Sequence, residues 1–189
     1  HDTSGVATPR TGRRTGCRND HIPTHDGGGY RRSVPKVVPE ELPFDEGDLA
    51  PVEAVLAELA EAGHGWVNFS PEVEPGHEPA PRRIVVAAFS SRGEPVPLAT
   101  WSAPAGPGRR VTLGIEHGSG PRAIPRLEAH DLGLADGWLK LSDHARRGVV
   151  VSVPGTAPAA DVLWWLLTAS HALSTVPLTG HWLATIHRP

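Results

Sequence analysis

The 189-residue sequence contains one cysteine, no methionine, one tyrosine and three phenylalanines. A lone Cys17 excludes an internal disulfide framework. It lies in a polar Gly/Thr/Arg stretch where nothing would lower a thiol pKa, so it is not a candidate nucleophile. Spanning a bilayer takes roughly 20 consecutive apolar residues, and runs such as Val162–Leu167 fall far short of that. The N-terminus lacks the charged, apolar and small-residue order of a secretion signal. These absences lead us to expect a soluble, cytoplasmic protein with no membrane partner. With no methionine at all, the chain reads as processed, truncated or begun at an unusual position. Lysine is nearly absent too, at 2 residues against 16 arginines, while Ala, Gly and Pro abound. That is the coding bias of a GC-rich genome, and it discounts the arginines as a nucleic-acid signal.

What charge there is falls in three blocks. Residues 1–39 carry about +4, residues 40–81 carry eleven acids and no Lys or Arg, and residues 82–189 carry about +4 again. The acidic block reads as a solvated outer face, or as a surface lying over a basic one. Net charge is −3, so a nucleic-acid partner is not expected.

Residues 1–47 contain Gly27-Gly28-Gly29, scattered Pro and Thr, and few large apolar side chains. Such a segment buries too little to offset its ordering entropy, so it reads as a disordered arm before a single domain over 48–189. Asp48 is the expected N-cap of a helix with Pro51 in its first turn, Val52, Val55, Leu56 and Leu59 on one face, and Gly63 as its stop. Strands are expected at 66–69, 84–89 and 96–101, the last two joined by a turn at Ser91-Arg92-Gly93-Glu94.

The remaining pattern sets the fold class. A strand at 109–116 alternates strictly, a helix follows at 122–130, and two strands at 138–142 and 147–153 flank a turn at Asp143–Arg146. A helix over 158–173 and a final strand over 181–187 complete the order β-α-β-β-α-β. The expectation is an α+β protein with a ferredoxin-like unit, extended by the N-terminal helix and three strands. Helix 158–173 is apolar almost all round, which requires cover from the N-terminal elements or from a protein partner or homodimer.

In that topology the end of strand 109–116, the turn after strand 138–142 and the start of strand 181–187 share one end of the sheet. His117, Asp143, His144 and His181 are therefore the candidate catalytic residues for acid–base chemistry. The bland alternative is that Asp143 or His144 caps a turn. Without a close-spaced H-x-x-x-H or C-x-x-C, no metal and no other cofactor is expected. The turn Gly118-Ser119-Gly120-Pro121-Arg122 enters a helix, where free amides suit an anion, so Ser119, Gly120 and Arg122 are candidate anion-binding residues.

Other signatures fail. The third strand of the unit, Arg147-Gly148-Val149-Val150-Val151, has valines where an RNA-recognition sheet stacks aromatics. No G-x-S-x-G is present, and Ser170 and His171 are adjacent on a helix, so their side chains point about 100° apart.

Gly65-Trp66-Val67-Asn68, Val96-Pro97-Leu98, His117-Gly118-Ser119-Gly120-Pro121, Asp143-His144 and Arg146-Arg147-Gly148 together resemble a family of actinomycete proteins. The resemblance covers about residues 50–187 and implies no activity, ligand or catalytic residue. The expected function is a non-catalytic binding or self-associating domain. The alternative is a small enzyme acting on an anionic substrate at the histidine-bearing sheet edge.

Overall fold

The computed structural model describes residues 38–79, 93–105 and 109–188. The elements run β1 (Glu40–Asp45), α1 (Ala50–Ala62), β2 (Trp66–Val73), β3 (Leu98–Ala105), β4 (Arg110–Glu116), α2 (Ala123–Glu128), β5 (Leu139–His144), β6 (Gly148–Pro154), α3 (Ala159–Leu173) and β7 (Leu178–His187). The strands form one sheet in the order β1-β7-β2-β3-β4-β6-β5, with every neighbouring pair antiparallel.

Two expectations about the N-terminal part need correction. Residues 40–45 belong to the sheet as an edge strand rather than to the arm. Pro43 disguises the alternation of Leu42 and Phe44, and an edge strand is where a sheet tolerates proline. Helix α1 is capped by Leu49, not Asp48, whose amide bonds the Asp45 carbonyl at 3.0 Å in the turn from β1. Pro51 and the buried Val52, Leu56 and Leu59 stand as expected, and Gly63 ends the helix at φ 73°. Strand 84–89 and the first half of the turn at 91–94 lie outside the described residues.

The α+β class stands, but the strands do not close into a ferredoxin-like unit. Strands β4, β6 and β5 lie side by side in that order, with α2 in the crossover from β4 to β5, as the first three strands of a split unit require. The fourth strand departs from it. Strand β7 pairs with β1 and β2, and β2 and β3 stand between it and β4. The reason is edge satisfaction: β2 and β3 pair with each other, and each needs a second neighbour for its free N–H and C=O groups. Inserted in the sheet they find β7 and β4. Lying over it as a cover layer they would leave those edges open.

The register separates the two faces of the sheet. Ile186, Val67, Trp101, Leu113 and Val151 form one cross-strand row, and Ala184, Phe69, Ala99, Ile115 and Val149 form the next. Both rows are buried, and they belong to the same core as α1, α2 and α3. Helix α3 contacts α1, α2, β3 and β4, so all three helices lie on this side. Its residues Val162, Leu163, Trp165, Leu166, Leu167, Ala169, Ser170 and Leu173 are buried within the chain. Trp164 is 56% exposed. The apolar surface of the helix is thus covered from inside, apart from one stripe. Among the described residues no helix is long and apolar enough to cross a membrane.

On the opposite face the rows read Thr185, Asn68, Thr100, Gly114, Val150 and His187, Trp66, Ser102, Thr112, Ser152. Trp66 stacks on His187 with ring centroids 4.6 Å apart, and the Thr100 hydroxyl donates to the Asn68 side-chain oxygen at 3.0 Å.

Candidate functional site

The end of β4 passes into the turn that carries His117, and this histidine is fully buried. Gly93 makes room for its backbone, and Gly148 lets β6 approach β4 just before it. A side chain on Gly93 would place a Cβ 2.3 Å from the His117 carbonyl oxygen. One on Gly148 would place a Cβ 2.0 Å from the carbonyl oxygen of Ile115, and Gly148 also holds φ at +78°.

On the Nδ1 side of the ring the polar contacts form a chain. Arg126 donates through Nη1 to the Ser119 carbonyl at 2.8 Å and through Nη2 to Ser119 Oγ at 2.7 Å. Ser119 Oγ lies 2.9 Å from His117 Nδ1. Since the guanidinium can only donate, the hydroxyl hydrogen is free to go to Nδ1, which places the proton of the neutral ring on Nε2. That Nε2 is buried and has no hydrogen-bond partner among the described residues. Burial pushes the His117 pKa below the ordinary histidine range, the Arg126 charge adds to this, and Asp143 opposes it. The ring is held neutral.

Asp143 sits on the helix side of the sheet, opposite Val149 in the register. Its Oδ1 accepts from the Ala123 amide and its Oδ2 from the Ile124 amide, each at 3.0 Å. The N-terminus of α2 is therefore capped by a carboxylate from β5, which also complements the helix dipole.

The structure brings together some of the expected site residues and separates others. His117 is bonded to Ser119, Arg126 holds Ser119, and Asp143 lies near enough to act on the His117 ring through its charge. Gly120 is buried at φ 91°, and Arg122 is exposed in the left-handed region at φ 60°. The first two amides of α2, those of Ala123 and Ile124, are taken by the Asp143 carboxylate. His144 is exposed, and its Nδ1 accepts from the amides of Arg146 at 3.1 Å and Arg147 at 3.3 Å, so it closes the β5–β6 turn. His181 is exposed on β7, with Nδ1 3.0 Å from Asp45 Oδ2 on β1. Strand β7 is three places from β4, or roughly 14 Å at the usual strand spacing, so His117 and His181 do not meet. Among the described residues, no three His, Cys, Asp or Glu side chains gather to hold a metal ion.

A second polar cluster had no local signal in the sequence. Glu46 Oε1 accepts from Trp182 Nε1 at 2.7 Å and pairs with His171 Nε2 at 2.6 Å. Those partners lie 136 and 125 residues away along the chain, so only the fold brings them together. Arg188 ties Glu40 of β1 and Glu58 of α1 to the end of β7.

No protein-family model, curated protein or solved structure matches the chain.

Proposed function

We propose that this domain acts by binding, without catalysing a reaction. The observation that carries the reading is the internal commitment of the His117 cluster. In a serine-histidine-aspartate site the serine faces Nε2 of the base and the aspartate holds Nδ1. Here the serine faces Nδ1, Nε2 is buried, and Asp143 holds helix amides instead of the ring. Arg126 occupies a lone pair of the hydroxyl that an attacking serine would use. The groups that could do chemistry instead hold α2 and the β4–α2 turn against the sheet.

The 2.9 Å contact between Ser119 and His117 supports one competing reading, an enzyme that attacks an anionic substrate through Ser119 with Arg126 beside it. A serine-directed fluorophosphonate separates the two. The binding reading expects no labelling of Ser119 in the folded chain, whereas stoichiometric labelling lost in Ser119→Ala would overturn it. The likeness to the actinomycete family belongs to the same proposal and adds no activity to it.

A further inference from the structure

On the helix side of the molecule, the turn from β1 into α1 meets the outer stripe of α3. Glu46, Leu49, Trp164, Leu167 and Thr168 line a notch of about 150 Å³ there. We infer that this notch docks a basic segment of another protein, taking a cationic side chain against Trp164 and Glu46. The inference rests on the binding reading and names its partner chemistry.

Trp164 is 56% exposed on a helix whose other large side chains are buried, so its ring is available to a ligand. An exposed indole beside carboxylates is a favourable setting for an arginine or lysine. Glu46 is fixed in place because both Trp182 and His171 hold its Oε1, and Oε2 has no partner among the described residues. Asp161 lies one helical turn before Trp164 on the same exposed stripe, and Asp48 is exposed immediately before Leu49.

The carboxylates at the notch are Glu46, Asp48 and Asp161, the first two in an acidic part of the sequence. Residues 40–79 contain eleven acids and no Lys or Arg, and α3 contains none either. Arg188 is the one arginine paired with those acids among the described residues, at Glu40 and Glu58. Among the described residues, no Lys or Arg pairs with Glu46, Asp48 or Asp161. A second copy is the wrong occupant, because a two-fold contact here would set Glu46, Asp48 and Asp161 against the same carboxylates of its mate. A basic partner reverses that repulsion. Leu49 and Leu167 supply the apolar floor for the stem of its arginine or lysine.

The test uses the whole chain and a fluorescein-labelled amphipathic peptide of arginine and leucine, with a glutamate-for-arginine twin as control. Fluorescence anisotropy should show binding of the cationic peptide only, weakening as salt rises. Trp164→Ala should weaken it by about tenfold and Trp164→Phe by less, since the ring is the contact. Trp164 is exposed, so Trp164→Ala should fold, and its circular dichroism should match that of the parent. Asp161→Asn should weaken binding by about twofold to threefold and flatten the salt dependence. No binding, equal binding of both peptides, or binding unchanged in Trp164→Ala would each overturn the inference. Should that happen while Ser119 stays unreactive to the fluorophosphonate, only the partner chemistry is lost and the binding reading stands.

Discussion

Asp143 holds Ala123 from a different element: a carboxylate at the end of β5 accepts the first amide of α2 at 3.0 Å. Its second oxygen takes the amide of Ile124. Helix α2 is six residues long and has no side-chain cap of its own from Arg122. A helix that short is marginal without tertiary support. Removing the carboxylate should therefore loosen the whole β4–α2 turn. Asp143→Ala is expected to lower unfolding free energy by about 1–2 kcal/mol, and Asp143→Asn by less, in urea titrations. An unchanged midpoint in both variants would mean that this cap contributes nothing.

The core of α3 gives the largest effects. Trp165 is 5% exposed, its Nε1 donates to the Leu132 carbonyl at 3.1 Å, and it meets Trp138 edge-on at 5.3 Å. Leu166 is fully buried. Trp165→Ala and Leu166→Ala should each cost about 2–5 kcal/mol by leaving cavities. Trp164→Ala, one position away, should stay within about 0.5 kcal/mol of the parent because its side chain is exposed. Chemical denaturation of the three variants checks the contrast.

Gly148 tests the close approach of β6 to β4. Alanine there would need φ at +78° and would set a Cβ 2.0 Å from the Ile115 carbonyl oxygen. Gly148→Ala is expected to cost more than about 2 kcal/mol, or to prevent folding at 37 °C. A stable Gly148→Ala protein would show that the β4–β6 approach is looser than described.

Most elements after residue 49 were legible in the sequence because each carries its own period. Val111, Leu113 and Ile115 alternate, and Val52, Leu56 and Leu59 repeat at helical spacing. The strand order was legible only in part. The β5–β6 hairpin follows from a short connection and the β4–β5 crossover from the helix between them, but the placement of β7 depends on which edges β2 and β3 leave free, and no local pattern encodes that. The edge strand β1 was hidden by Pro43 among acids. For the site, His117 and Asp143 lie near one another, and His181 lies apart because β7 sits beyond β2 and β3. That Asp143 would serve α2 rather than a histidine depends on its facing the helix side of the sheet, which a bulge between Lys140 and Ser142 sets.

The account turns on His117 being a buried, neutral part of the core rather than a working base. Because its folded pKa lies below the unfolded value near 6.5, the unfolded chain takes up a proton first as pH falls. The stabilising effect is full above that value and is lost as pH drops from about 6.5 toward the folded pKa, at no more than about 1.4 kcal/mol per pH unit. The direct measurement is an NMR titration of the His117 ring carbon in protein labelled at histidine. The account predicts a midpoint below the ordinary histidine range, reached only as the fold itself weakens, and absent from a His117→Gln control. A His117 ring that titrates freely at or above the ordinary value, with the fold intact, would contradict it.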